Sequence, residues 1–107
     1  MSNAEAAGPG PATIELDRLI HEPARLVLMA NLWVVDEADF VYLSRRTGLT
    51  AGNISSHMSR LEDAGYVSVE KSFAGKRPRT AYALTSEGRI AFERYREQVG
   101  GLLAPGS

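Results

Sequence analysis

Along most of the chain the apolar positions recur at helical spacing, and in one short stretch they alternate. Ile14, Leu16, Leu19 and Ile20 follow Thr13, a residue suited to an N-cap, and predict a short amphipathic helix that ends by His21 or Glu22. Pro23 pre-sets φ for a first helical position and pushes Glu22 out of the α region, so a second helix is predicted to start there. Its residues Leu26 to Ala30 and Leu32 to Val34 are apolar on nearly every side, the pattern of a buried central helix. The acidic stretch Asp36-Glu37-Ala38-Asp39 supplies a cap for a third helix, with Phe40, Leu43 and the Thr47 stem inward and Gly48 as its end. Thr50 caps a fourth helix on which Ile54, Met58 and Leu61 recur at i, i+4 and i+7, closed by Gly65.

Past Gly65 the period falls to two. Val67 and Val69 alternate with Ser68 and Glu70, then Thr80, Tyr82 and Leu84 alternate with Ala81 and Ala83, which predicts an antiparallel hairpin. Its connection, Phe73 to Pro78, reads as longer than a two-residue turn, with Pro78 in an exposed loop or edge. A Thr85 or Ser86 cap then opens a last helix with Gly88, Ala91, Phe92, Tyr95 and Val99 along one stripe. The fold class is therefore mainly α with one small antiparallel hairpin. Gly8 to Pro11 and Gly100, Gly101, Pro105 and Gly106 hold eight of the fifteen glycines and prolines, so residues 1–12 and 100–107 are expected to be flexible tails around one domain, 13–99.

At 107 residues the chain has room for one modest core. Its best apolar run, Leu26 to Val35, is interrupted by Asn31 and too short to span a membrane, and no signal peptide is visible. The absence of cysteine excludes a disulfide framework, a thiolate metal site and a cysteine nucleophile, and is consistent with a reducing cytoplasm. No nucleophile, base and orienting group can be assembled by spacing, and there is no phosphate-cradling glycine loop, so an enzyme is not expected.

The net charge of −1 conceals an asymmetry. Residues 1–39 carry two arginines against seven acids, whereas residues 40–82 carry seven basic residues against three acidic ones. A local basic region holds phosphate whatever the overall pI. Two short helices joined by Thr47-Gly48-Leu49-Thr50 match a helix-turn-helix unit. With Ile54, Met58 and Leu61 inward, the opposite side of the fourth helix carries Gly52, Ser55, Ser56, Ser59, Arg60 and Asp63. Serine, asparagine and arginine can bond base edges or phosphates in a major groove, although the same face taken alone also reads as solvated surface. Lys71, Lys76, Arg77 and Arg79 then place four cations within nine residues of the hairpin. Such a tip can lie along phosphates or reach a minor groove, or simply protect an edge from aggregation; its position beside the helix-turn-helix favours the former.

The segments Leu-Thr-Ala-Gly-Asn-Ile-Ser-Ser-His-Met-Ser-Arg-Leu-Glu-Asp-Ala-Gly-Tyr-Val (Leu49 to Val67) and Arg-Pro-Arg-Thr-Ala-Tyr-Ala-Leu-Thr-Ser-Glu-Gly-Arg (Arg77 to Arg89) resemble winged-helix DNA-binding regulators of the MarR/ArsR type, over about residues 14–99. The resemblance implies a winged helix-turn-helix that binds double-stranded DNA as a homodimer and regulates transcription. The helix from Ala51 would read the major groove and the wing around Lys76 and Arg77 would hold the flanking backbone. The candidate DNA-binding residues are thus Thr50, Asn53, Ser55, Ser56, Ser59, Arg60, Lys76, Arg77 and Arg79. Apolar residues beyond the central core, namely Ile14, Leu16, Leu19 and Ile20 in front and Tyr95, Val99 and Leu102 behind, are the candidate dimer interface. A winged-helix module that binds protein instead of DNA is the alternative, and would more often display apolar side chains on its exposed helix.

The remaining residues have plainer readings. Metal sensors of the ArsR type use cysteine or clustered ligands, while His21 and His57 stand 36 residues apart, so neither a metal nor another cofactor is expected. His57 reads as a packed or backbone-positioning residue, and Asp36, Glu37 and Asp39 as solvated or capping groups rather than a cation site. Trp33, Phe40, Tyr42, Phe73 and Tyr82 are expected in the core. Asn31 would meet a buried partner or a dimer seam, and one of Arg45 and Arg46 would touch phosphate. MarR-type effector pockets use longer terminal helices than this chain has length for, and no effector is assigned.

Overall fold

Each helix begins where a side chain can accept the backbone N–H groups that the first turn leaves unpaired. A computed structural model of the protein describes residues 16–104. Helix α1, Pro23–Trp33, starts with Pro23 in its first turn and Glu22 as its cap, the carboxylate accepting the Arg25 N–H at 2.9 Å. That hydrogen bond, opposed in part by burial and supported by the charge of the Arg25 guanidinium, holds the Glu22 carboxyl below its ordinary pKa. Strand β1 is only Ala38–Asp39, and Asp39 also caps α2, Phe40–Thr47, by accepting from the Tyr42 N–H at 2.8 Å. Thr50 caps α3, Ala51–Asp63, and Thr85 caps α4, Ser86–Leu103, accepting from Asn53 at 3.2 Å and Gly88 at 2.9 Å.

Between α3 and α4 lie strands β2, Val67–Ala74, and β3, Arg77–Leu84. They pair antiparallel, with Val67 opposite Leu84 and Val69 opposite Tyr82. Strand β1 adds to the other edge of β3, giving the order β1-β3-β2. Ile20, Leu28, Met29, Leu32, Leu43, Ile54, Met58 and Leu61 are sealed from solvent in one core that Val67, Tyr82, Phe92 and Tyr95 extend.

Several expectations are corrected. Residues 16–22 form turns rather than the end of a helix, because the Asp17 carboxylate takes the N–H groups of Leu19 at 2.9 Å and Ile20 at 3.3 Å. Thr13, Ile14 and the expected tail 1–12 lie outside the described residues. The hairpin connection is tighter than expected: the ladder continues to Phe73 opposite Pro78 and Ala74 opposite Arg77, leaving Gly75 and Lys76 as a two-residue turn. Gly75 makes this possible with φ of 67°, a conformation that residues with a Cβ rarely adopt. Helix α4 runs through Gly100 and Gly101 to Leu103, four residues past the expected limit of the domain at Val99. At the other end of the core, Arg89 donates to the carbonyls of Trp33 at 3.3 Å and Val35 at 3.5 Å, tying α4 to the C-terminus of α1. Its guanidinium and that of Arg96 each lie 5.6 Å from the Trp33 ring centre.

The front-and-back apolar set is also divided. Ile20 is fully buried and Tyr95 only 5% exposed, so both belong to the core of the domain and neither offers a free face. Tyr95 further shares a 2.7 Å hydrogen bond with His21 Nδ1. Leu16, Leu19 and Val99 pack on that core from its margin, while Leu102 is half exposed beside the outward Leu103. Phe73 and Tyr42, expected inside, are exposed; Trp33 and Phe40 pack at the core's edge and Tyr82 within it. Asn31 donates to the carbonyl of Val27 on its own helix at 2.8 Å, which satisfies it locally.

Candidate nucleic-acid interface

Helix α3 is presented by the turn that precedes it. The Thr47 hydroxyl donates to the Leu43 carbonyl at 2.7 Å and accepts the Leu49 N–H at 3.1 Å, while Ser44 donates to the Leu49 carbonyl at 3.3 Å. These bonds join the end of α2 to the approach to α3, and Ile54, Met58 and Leu61 seat the helix on the core. Thr50, Asn53, Ser55, Ser56, Ser59 and Arg60 consequently all stand exposed. A positioning contact holds the helix from behind: His57 is half-buried, with Nδ1 at 3.0 Å from a terminal nitrogen of Arg25. Since a guanidinium only donates, Nδ1 accepts. Arg25 also donates through Nε to the Leu19 carbonyl at 2.5 Å, so α1, α3 and the preceding turn meet at one side chain.

The wing stands beside this helix. Ser55 and Ser59 of α3 face Lys71 and Thr80 across a groove of about 270 Å³, floored by Met58, Val69 and Tyr82 and closed by Glu62. Burial, and secondarily the Glu62 charge, push the Tyr82 phenol above its ordinary pKa. Lys71, a basic residue of the hairpin outside the set of candidate contacts, lies on the α3 side, where the period-two register sets it opposite Thr80. Lys76 occupies the turn and Arg77 follows it, both exposed.

Arg79 behaves differently from its neighbours. It reaches Glu37 at 3.4 Å and Asp39 at 3.6 Å, so two carboxylates from the stretch before α2 neutralise it at the base of the wing. The strand pairing that brings Asp39 opposite Ala81 causes this contact. Among the described residues, Arg60, Lys71, Lys76 and Arg77 make no ion pair. Arg46 lies over the Tyr42 ring at 5.7 Å, and both Arg45 and Arg46 sit in the last turn of α2, where positive charge suits the helix dipole. No three histidine, aspartate or glutamate side chains among the described residues converge on a point where a metal could bind. No helix among them is long and apolar enough to cross a membrane.

A helix-turn-helix seated on the core and presenting a polar helix, with a basic two-stranded hairpin beside it, defines a winged-helix nucleic-acid-binding protein. The chain belongs to the winged-helix DNA-binding domain family, whose model matches residues 24–103. It is 32% identical over 78 residues to an uncharacterised protein of Methanocaldococcus jannaschii, covering 73% of this chain and 85% of that one. Among solved structures it is similar to a transcriptional regulator homologue from Pyrococcus horikoshii OT3, with 30% identity, a TM-score of 0.76, and coverage of 81% of this chain and 86% of that chain. A MarR mutant from E. coli complexed with operator DNA shares the fold at 21% identity and a TM-score of 0.67, over 81% of this chain and 67% of that one. The protein is thus a member of the winged-helix DNA-binding family, similar to a transcriptional regulator homologue and sharing its fold with MarR.

Proposed function

We propose that this chain regulates transcription by binding duplex DNA sequence-specifically as a homodimer, with α3 in the major groove and the wing on the neighbouring backbone. The observation that carries this reading is the continuity of the polar face of α3 with the Lys71 groove and with Lys76 and Arg77 beyond it. Short hydroxyl and amide side chains and one arginine can approach base edges, and the unpaired cations supply the sequence-independent attraction to phosphate. The protein-interaction alternative has less support, because the exposed positions of α3 carry no large apolar side chain. DNA bound to the E. coli MarR mutant in its own structure is consistent with the reading.

Dimerisation rests on the far end of α4. Leu102 and Leu103 are 51% and 76% exposed, and Ile90, on the same helix, is 56% exposed. A two-fold pairing through the end of α4 would cover the leucines and present two copies of α3 to half-sites about one DNA turn, or a multiple of it, apart. Leu16, Leu19 and Val99 contribute only their exposed margins to such a seam. The test is selection of duplexes from a randomised pool, followed by fluorescence anisotropy of selected and scrambled duplexes. Preference for a pseudo-palindrome supports the proposal, and equal affinity for both overturns its specificity.

A further inference from the structure

We infer that the wing reads DNA with an aromatic wedge, Phe73, inserted at the minor groove next to the major groove that α3 occupies. The inference rests on the proposed DNA binding and adds a contact that charge alone would not supply. Phe73 is 72% exposed, although it lies within a strand of a chain with only three phenylalanines. Its register explains the exposure. Val67, Val69, Lys71 and Phe73 share one face of β2, with Leu84, Tyr82, Thr80 and Pro78 opposite them on β3. The first two pairs pack on the core, and the third lines the groove against Ser55 and Ser59. The fourth, Phe73 with Pro78, lies beyond the reach of α3, and so an apolar pair continues the side of the wing that faces the same way as the recognition groove.

Reach and charge identify the occupant. From Val69, beside α3, to Phe73 is four residues, or about 13 Å of strand, and the Gly75–Lys76 turn extends further. Adjacent major and minor grooves are about half a DNA turn apart, roughly 17 Å. The undeformed minor groove, about 6 Å wide, is narrower than a two-stranded ribbon but admits single side chains. Lys71 behind Phe73 and Lys76 and Arg77 at the tip flank the ring with positive charge, which suits a site bordered by phosphates and is unfavourable at an apolar protein seam. A phenylalanine so placed can wedge between base pairs at a flexible pyrimidine–purine step, opening the stack and bending the duplex.

The experiment compares the full chain with Phe73→Ala and Phe73→Leu on a duplex selected by the unmodified protein, carrying 2-aminopurine at successive steps on either side of the α3 site. The expected result is increased 2-aminopurine fluorescence at one step about half a turn from that site. Phe73→Ala should abolish it and lower affinity about tenfold without changing the salt slope, while Phe73→Leu, still a wedge, retains part of both. Unchanged fluorescence and affinity in Phe73→Ala overturn the inference, as does a loss of affinity that sedimentation traces to a lost dimer. If the unmodified protein selects no duplex, the proposed function itself fails; if it selects one but no step is unstacked, only the wedge fails.

Discussion

A Cβ placed on Gly88 would stand 2.0 Å from the carbonyl oxygen of Tyr66, so the first turn of α4 lies directly against the backbone that leads into β2. Thr85 reinforces the junction, its N–H donating to that same carbonyl at 3.0 Å and its hydroxyl to the Gly65 carbonyl at 2.6 Å. Replacing a helical glycine by alanine ordinarily stabilises by about 0.5–1 kcal/mol. At Gly88 the sign should reverse, with a loss of roughly 1–3 kcal/mol because backbone must move. Gly100→Ala, with nothing within 4 Å of the added carbon, should stabilise slightly. Chemical denaturation of the two variants checks the contrast.

The Tyr66 hydroxyl donates to the Asp17 carboxylate at 2.5 Å, and this bond, with partial burial and the Asp17 charge, pushes its pKa from 10.0 up to about 12. The folded state therefore retains a proton that the unfolded chain releases. The stabilisation is complete below pH 10 and is lost as pH rises from 10 towards 12. Denaturation measured across that window should show a decline in stability that is smaller in Tyr66→Phe. Ultraviolet titration of Asp17→Asn should show the phenol returning towards its ordinary value.

Arg60 is exposed on the polar face of α3, where a guanidinium can take a guanine edge. Arg60→Ala should cost about 1–3 kcal/mol on a selected duplex and much less on a scrambled one. Equal losses on the two, measured by anisotropy, would assign Arg60 to phosphate.

Neutralising Lys76 and Arg77 together should weaken binding to every duplex and reduce the slope of log K against log salt by roughly two, one for each phosphate contact. Arg79→Ala should leave the slope nearly unchanged, since Glu37 and Asp39 already neutralise that side chain. A salt series on both variants distinguishes the free cations from the paired one.

If the proposed dimer forms, Leu102→Asp with Leu103→Asp should leave the chain monomeric with its core intact, because both leucines are exposed. Asp at Tyr95 should instead unfold the domain, since that ring is buried. Sedimentation and circular dichroism separate these outcomes, and a monomeric unmodified chain at tens of micromolar would refute the dimer.

Much of the architecture was legible locally. Pro23, Asp39, Thr50 and Thr85 act within four residues of where they stand, and Gly48 ends its helix within the same range, so the starts of α1 to α4, the end of α2 and the polar face of α3 could be read without the fold, whereas the end of α4 could not. The two-residue strand β1 could not, because two residues carry no period and its pairing partner lies more than forty positions away. The same separation explains Arg79: a count of cations along the hairpin treats it like Lys76, and only the sheet brings Glu37 and Asp39 to it. Periodicity marked Ile20 and Tyr95 as apolar but not which surface would cover them; the turn at Asp17 folds Ile20 into its own core. Phe73 is the converse, an apolar residue in a regular strand that extends past the last helix able to cover it. Capping and turn chemistry act through neighbouring backbone groups and are written in the sequence. Burial and charge neutralisation depend on which distant surfaces meet, and those the tertiary structure alone decides.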